Sequence, residues 1–195
     1  TNYVMLVSGH PLHAFDLDQI AGSELTIRAA QDGEKLTTLD GEERTLDAEI
    51  CLIADADGPT SLAGVMGGSR SEVSDQTTRV LLEVAVWDGA NINRTSTRLG
   101  LRSEASSRFE KGLSPEGALE AQAMASALML KLTGATLADG TLDVGGDGPA
   151  ANVVRLRDAR IISLLGTPIA RERSQAILEA LGFTVTAADD GLDVT

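Results

Sequence analysis

The sequence predicts an α+β fold: a mixed or antiparallel sheet with hairpins and packing helices, followed by a small helical α+β domain that we expect to be truncated. Two observations lead to this prediction. Short alternating apolar segments separated by Asp-Gly pairs fill residues 24–54, which is typical of hairpins rather than of a βαβ array. A run rich in Gly, Asp and Pro over 139–151 then reads as a linker. We therefore predict domains at 1–148 and 149–195.

The first residues of the chain have two interpretations. Thr1 and Asn2 are good N-caps before the apolar run 3–7, which favours a helix, but a buried strand fits the same run. Pro11 fixes its own φ and favours an extended backbone at the residue before it. We therefore expect His13 to follow a rigid bend of the chain.

Strands occupy most of the chain between residues 24 and 86 in this prediction. They are expected, in order, at 25–28, 36–39, 44–46, 50–54, 60–68 and 80–86. The pairs Asp32-Gly33 and Asp40-Gly41 are predicted to turn the chain between neighbouring strands. Cys51 lies in an apolar run and is expected to be a buried small hydrophobe.

Helices are predicted from their caps and their apolar periodicity. Asp88 and Gly100 would begin and end a helix over 89–99, and Ser114-Pro115 with Gly134 bound the clearest helix of the sequence. The apolar stripe of that helix is formed by Ala121, Met124, Ala125, Leu128 and Leu132. Beyond the linker, helices are predicted at 159–165 and 172–181, followed by a hairpin over 184–195 that turns at Asp190-Gly191.

Composition excludes several classes of protein. One cysteine and two histidines leave no basis for a disulfide framework or a zinc cluster. No apolar run approaches the ~20 residues of a membrane span, and no signal peptide is recognisable. We therefore expect a cytoplasmic protein without a membrane partner, and the absence of an initial Met suggests a piece of a longer chain.

The charge distribution bears on nucleic-acid binding. The net charge of −13 argues against a nucleic-acid-binding domain taken alone, because phosphate contacts come from Lys and Arg. Residues 89–111 nevertheless carry five cationic side chains and only two acidic ones. The cations are Arg94, Arg98, Arg102, Arg108 and Lys111. This stretch is either a solvated helix face or a limited contact with nucleic acid.

The glycine-rich stretch 62–68 and the strand after it are the most informative part of the sequence. Glycine lets the backbone approach a ligand closely and offer bare N–H groups to it. Glu83 interrupts the apolar strand, and an ionised carboxylate is costly there unless it finds a partner. Glu83 lies either on the solvated face of an edge strand or against a cavity floored by Gly64 and Gly67.

Five short stretches together resemble one family. They are Thr1-Asn-Tyr-Val4, Pro11-Leu-His-Ala-Phe-Asp16, Ala63-Gly-Val-Met-Gly-Gly68, Leu82-Glu-Val-Ala85 and Ser103-Glu-Ala-Ser106 followed by Arg108-Phe-Glu110. In this order and spacing they are similar to the editing module of the bacterial phenylalanyl-tRNA synthetase beta subunit. The resemblance covers about residues 1–148, and the remainder resembles the start of the helical domain that follows this module.

The resemblance implies hydrolysis of tyrosine esters formed in error on tRNA-Phe. It implies the acceptor end of tRNA-Phe and a synthetase alpha subunit as partners, in an alpha2-beta2 assembly. No cofactor is implied for this part of the synthetase, whereas the full enzyme uses ATP and magnesium for aminoacylation on the alpha subunit. Positioned water attacking the ester would suffice for editing, without a protein nucleophile.

The resemblance also carries roles onto residues of this chain. Glu83 would recognise the tyrosine hydroxyl, with Gly64 and Gly67 shaping the pocket and donating from the backbone. Ser103 would line the wall and Ala105 would leave room for the ring. The residues implied for catalysis are His13, Thr1 and Asn2. Thr1 and Asn2 would hold the amino-acid end of the ligand or its water, and His13 would orient the terminal adenosine or the attacking water.

Two positions depart from the family pattern, and two other functions remain open. Ser103 stands where Thr is usual, and Ser107 stands where His is usual, which places the tightness of the pocket in question.

The first alternative function is an architectural or tRNA-binding module of the synthetase with an inactive pocket. The second is a free-standing hydrolase that edits in trans.

Overall fold

A computed structural model describes residues 1–145 and 151–195 of the chain. They form two units, Thr1–Gly140 and Thr141–Thr195, which are described separately below. The predicted boundary between residues 148 and 149 lies outside the described residues. The described part of the predicted linker, 139–145, contains neither helix nor strand.

The first unit combines short strands with helices, so the predicted α+β class is confirmed. Its elements are α1 (Asn2–Ser8), β1 (His13–Asp16), β2 (Thr26–Ala29), β3 (Lys35–Thr37), β4 (Glu43–Thr45), β5 (Cys51–Asp55), β6 (Gly58–Leu62), β7 (Met66–Gly67), β8 (Val80–Glu83), α2 (Gly89–Leu99), α3 (Ser106–Phe109) and α4 (Pro115–Thr133). All paired strands of this unit are antiparallel.

The strands are divided among three sheets rather than one. A four-stranded sheet has the order β2-β5-β6-β7, β3 pairs with β4, and β8 pairs with β1. The prediction that β8 continues the large sheet was therefore wrong. It missed β1, because a four-residue segment after Pro11 carries little local strand signal, and its pairing depends on a partner far along the chain.

Only one of the two predicted Asp-Gly turns joins paired strands. Asp40-Gly41 connects β3 and β4, and Gly41 has the positive φ of 82° that such a turn requires. Asp32-Gly33 also turns the chain, but β2 pairs with β5 and not with β3. The Gly33 N–H donates to the carbonyl of the buried Leu46 instead, so long-range burial decides the pairing here.

The first run of the chain is a helix, as one of its two interpretations predicted. Val4 and Met5 of α1 are buried, and Val4 packs against Ala121 and Ala125 of α4. The predicted stripe on α4 is only partly covered, since Leu132 is 77% exposed. The seven-residue α1 is too short to cover the nineteen-residue α4.

The largest core cluster lies beneath the glycine-rich stretch and joins it to α2 and α3. Its members include Leu62, Val65, Ile92, Leu101 and Phe109. The predicted ends of α2 are confirmed: the Asp88 carboxylate accepts from Asn91 N–H at 2.7 Å, and Gly100 is left-handed. The helix α3 was not predicted.

The second unit is a small antiparallel sheet with two helices. It contains β9 (Val154–Arg157), α5 (Asp158–Leu165), α6 (Arg171–Ala180), β10 (Val185–Ala188) and β11 (Gly191–Val194). The strand order is β10-β11-β9. The predicted helices and hairpin are confirmed. The hairpin turns at Asp189 and Asp190, so the predicted turn at Asp190-Gly191 was wrong by one residue, and β9 was missed.

Candidate functional site

A cavity of about 390 Å³ opens between the β1–β8 pair, the glycine-rich stretch and the residues that precede α3. This volume lies near the lower end of the range of about 300–1,000 Å³ for ligand pockets. All eight residues that the sequence singled out line it: Thr1, Asn2, His13, Gly64, Gly67, Glu83, Ser103 and Ala105. The fold thus brings the whole candidate set to one place, although their individual roles stay predictions.

The β1–β8 pair places His13 beside Glu83. These two residues are direct partners in the antiparallel register. Directly opposed residues of an antiparallel pair project to the same face, with Cβ atoms ~4.5–5.5 Å apart. Because both side chains line the cavity, the pairing sets a carboxyl and an imidazole side by side at its wall.

Glu83 is half-buried at the wall of the cavity and has no polar partner in the described part of the chain. Among the described residues, none donates a hydrogen bond to its carboxyl group and none forms an ion pair with it. Burial raises the pKa of Glu83 to about 7, since the ionised form loses its hydration. Near neutral pH this group can therefore either accept a hydrogen bond as a carboxylate or donate one as an acid.

His13 is also held without a polar partner. Its ring makes an edge contact with Phe15, with centroids 4.5 Å apart, and its Nε2 is buried without a hydrogen bond to the described residues. Burial lowers the pKa of His13, so the imidazole is neutral at physiological pH. The hydrogen-bonded core histidine of this region is instead His10, whose Nε2 lies 3.1 Å from the Ala85 carbonyl oxygen.

The two glycines allow large side chains to close around the cavity. A Cβ on Gly64 would lie 2.7 Å from Trp87 Cδ1, and Gly64 also has a positive φ of 67°. A Cβ on Gly67 would lie 2.5 Å from Cε1 of His13. Glycine is therefore required at both positions by space, and at Gly64 by backbone conformation as well.

Ser103 fastens the glycine-rich stretch to the segment that leads into α3. Its hydroxyl donates to the Val65 carbonyl oxygen at 2.7 Å and accepts from Ser106 N–H at 3.0 Å. The Ser106 hydroxyl in turn accepts from Ser103 N–H at 2.9 Å, an arrangement similar to a capping box. The hydroxyl that Ser103 shares with the usual Thr is thus engaged with the protein. Ser107 donates to the Ser103 carbonyl oxygen at 2.8 Å.

The exposure of the lining residues gives the cavity an inner end and a mouth. Gly67 is buried and Phe109 is only 3% exposed, whereas Thr1 and Asn2 are exposed. Glu72 and Glu104 also line the cavity and are exposed, so they lie at the mouth.

Sequence reasoning missed several lining residues, of which Trp87 and Glu72 matter most. Trp87 is the only tryptophan and follows Glu83 closely, a signal that could have drawn attention to it. Glu72 lies in a polar loop among other polar residues, and no local pattern distinguishes it.

The basic stretch 89–111 is largely neutralised by ion pairs. Arg98 contacts Asp47 at 2.6 Å and Glu49 at 2.7 Å. Two more of its five cations are paired, Arg102 with Glu110 and Arg108 with Glu104. The interpretation as a solvated, salt-bridged helix face is therefore favoured over that of a nucleic-acid contact.

The described residues offer neither a membrane-spanning helix nor a metal-binding cluster. None of their helices has the length and apolar character needed to cross a bilayer. They also contain no group of three or more His, Cys, Asp or Glu side chains that could hold a metal ion.

Comparison with known proteins gives a consistent result. Residues 1–134 match the B3/4 domain family. The phenylalanine–tRNA ligase beta subunit of Anaeromyxobacter dehalogenans is 49% identical over 189 residues, which is 97% of this chain and 24% of that protein. The beta subunit of Moorella thermoacetica is 49% identical over 185 residues, or 95% and 23%. The chain thus spans about a quarter of the length of these relatives.

Several chains of solved structures also match. One of them is an N-terminal fragment of the phenylalanyl-tRNA synthetase beta subunit from Pyrococcus horikoshii. The match has a TM-score of 0.46 and 16% identity, and covers 99% of this chain and 56% of that fragment.

Proposed function

This chain belongs to the B3/4 domain family and corresponds to part of a phenylalanine–tRNA ligase beta subunit, and from that premise we propose that it edits mischarged tRNA. The substrate is tyrosine esterified in error to the 3′ end of tRNA-Phe, and the reaction is hydrolysis of that ester. Aminoacylation, with ATP and magnesium, belongs in this proposal to the alpha subunit of the ligase.

Discrimination between phenylalanine and tyrosine explains why a second site is needed. A hydrophobic synthesis pocket rejects an isostere that adds only a hydroxyl by about a hundredfold. A site built to hydrogen-bond that hydroxyl rejects the analogue lacking it by about 10⁴-fold or more, because the polar group of the site is left unpaired. An editing cavity therefore requires one unsatisfied polar group in otherwise apolar surroundings.

The observation that carries the proposal is the Glu83 carboxyl group, which is half-buried, has a raised pKa and lies at the cavity wall without a partner among the described residues. A tyrosine phenol would supply the missing hydrogen bond, whereas a phenylalanine ring would leave the carboxyl unpaired and desolvated. The neighbouring glycines and Ala105 keep the wall thin enough for an aromatic ring. Glu83 thus acts as the selectivity element.

Hydrolysis at this site proceeds by attack of water on the ester carbonyl. The water adds to the carbonyl carbon, the acyl–oxygen bond breaks, and the ribose hydroxyl is restored with one proton from the water. At neutral pH the acid product ionises to a carboxylate and releases the other. His13 is neutral and could accept a proton or orient the water, with Thr1 and Asn2 holding the substrate at the mouth.

Only the acceptor end of tRNA-Phe needs to reach the cavity. The acidic net charge is consistent with this limited contact, since other parts of the ligase would hold the body of the tRNA.

The proposal is tested by incubating this chain, and an intact ligase that contains it, with Tyr-tRNA-Phe and Phe-tRNA-Phe. We expect hydrolysis of the tyrosyl ester only. We further expect Glu83→Ala in the intact ligase to reduce the ratio of the two rates at least tenfold, because one hydrogen bond to a charged acceptor is lost. Glu42→Ala, which removes an exposed glutamate, is the control. Equal hydrolysis of both esters would contradict the role of Glu83, and no hydrolysis by either protein would favour the architectural alternative.

A further inference from the structure

Two carboxylates lie at the mouth of the cavity, and no lysine or arginine lies beside them in its described lining. Glu72 and Glu104 lie there, and none of the described residues that line the cavity is lysine or arginine. The imidazole of His13 is neutral because burial lowers its pKa. An entering ligand thus meets the carboxylates of the mouth and no lysine or arginine side chain of the described residues, although Thr1, which also lines the cavity, carries the terminal ammonium group in this chain.

Of the two carboxylates at the mouth, one is ion-paired within the protein and the other is free to bind a ligand. Glu104 is held by Arg108 at 2.6 Å, one helical turn away. Glu72 is exposed, and no described residue donates a hydrogen bond to its side chain or forms an ion pair with it. Glu72 is therefore the free anion of the mouth.

The backbone that carries Glu72 is firmly anchored. Arg70, two residues earlier, forms two hydrogen bonds to Asp55 at 2.7 and 2.8 Å, and the Asp55 side chain is inaccessible to solvent. Ser71 is completely buried. The Glu72 N–H donates to the Ser69 carbonyl oxygen at 3.3 Å. The backbone at Glu72 is consequently fixed, whereas its exposed carboxylate remains free to meet a ligand.

We infer that Glu72 binds the α-ammonium group of the aminoacyl ester, so that the cavity selects α-amino acid esters with a free, protonated amino group. This inference rests on the proposed function and adds a second recognition point. Glu83 and the buried, unpartnered Nε2 of His13 lie deeper in the cavity, while the charged end of the ligand stays at the mouth. The arrangement matches an amino acid whose side chain enters first.

The same charge arrangement acts on the product. The ester has a cationic amino group and no anion near it, whereas hydrolysis creates a carboxylate next to that group. This carboxylate faces Glu72 and Glu104 and finds no lysine or arginine side chain among the lining residues that the structure describes. The cavity is therefore expected to hold the free amino acid more weakly than the ester, which favours release of the product.

The test compares three probes of the same ring: L-tyrosinamide, N-acetyl-L-tyrosinamide and L-tyrosine. Titration calorimetry at pH 6.5, where an α-amino group with a pKa of ~7.7 is protonated, gives their affinities for this chain. We expect tyrosinamide to bind about three- to tenfold more tightly than the other two, the range for one partly solvated ion pair. Glu72→Gln should abolish this preference, and Glu42→Gln should retain it.

Three results of the probe titrations would contradict the inference about Glu72. A preference that survives Glu72→Gln, equal binding of the three probes, or no binding of any probe would overturn it. Selective hydrolysis of Tyr-tRNA-Phe together with equal probe binding would remove this inference and leave the proposed function intact. Conversely, phenylalaninamide binding as tightly as tyrosinamide, with the Glu72 dependence retained, would remove only the role of Glu83.

Discussion

Replacing Glu83 with glutamine is expected to stabilise the first unit at alkaline pH and to change it little in acid. Burial raises the pKa of Glu83 from 4.5 to about 7, so the folded state holds this proton more tightly than the unfolded state does. The stability linked to the proton is fully present below pH 4.5 and is lost as the pH rises to 7. At about 1.4 kcal/mol per pH unit, this loss approaches about 3 kcal/mol.

Glutamine has nearly the same shape and cannot ionise, so Glu83→Gln avoids that loss. The gain in free energy of unfolding should therefore be about 2–3 kcal/mol larger at pH 8 than at pH 5. Urea titration followed by Trp87 fluorescence measures it directly, because this only tryptophan lines the same cavity. Glu42→Gln, at an exposed position, is the matched control.

The reasoning would be refuted by a gain for Glu83→Gln that is the same at both pH values, or by destabilisation at pH 8. Either result would mean that the carboxyl group is solvated or paired in the folded chain. The expected result would instead identify Glu83 as a residue whose enclosure costs stability, as is common where a buried acid serves binding or catalysis.

Two further pairs of variants test the construction of the cavity. Gly67→Ala should lower the free energy of unfolding by about 1–3 kcal/mol, because the new methyl group would overlap His13. Gly117→Ala in α4 should instead raise it by about 0.5–1 kcal/mol, since a Cβ at this helical position meets its nearest atom at 3.7 Å. Equal effects in urea titrations would contradict the close approach at Gly67. Ser103→Ala should cost about 1–2 kcal/mol and accelerate amide exchange around Val65, with Ser103→Thr restoring both, because the threonine hydroxyl can make the same two hydrogen bonds. Exchange rates that do not differ between Ser103→Ala and the unmodified chain would show that the Ser103 hydroxyl does not hold the glycine-rich stretch in place.

Helix ends and turns were predicted most reliably where the hydrogen bonds that form them join residues a few positions apart. Asp88 and Gly100 bound α2 as predicted, because a side-chain cap and a left-handed glycine act within one turn of the helix. The turn at Asp40-Gly41 formed for the same reason. The candidate residues themselves came from short motifs, and all eight line one cavity.

Local signals were insufficient where the partner of a residue lies far along the chain. Asp32-Gly33 has the composition of a hairpin turn, yet β2 pairs with β5. The cations of the basic stretch allowed either a solvated helix face or a nucleic-acid contact, and the sequence did not show that Arg98 is neutralised by Asp47 and Glu49 of a distant loop. Such pairings follow from burial and loop closure, which sequence spacing does not encode.

The sequence alone determined the α+β class, most of the helix ends and the set of residues that carries the proposed chemistry, because these depend on spacing and residue type. Only the tertiary structure decided what surrounds Glu83. The antiparallel register of β1 and β8 sets His13 beside it, and Gly67 lets that imidazole pack close to the glycine-rich stretch. These contacts join segments far apart in the chain, and they leave Glu83 half-buried without a polar partner among the described residues. This environment raises the pKa of its carboxyl group and makes it suited to select a ligand.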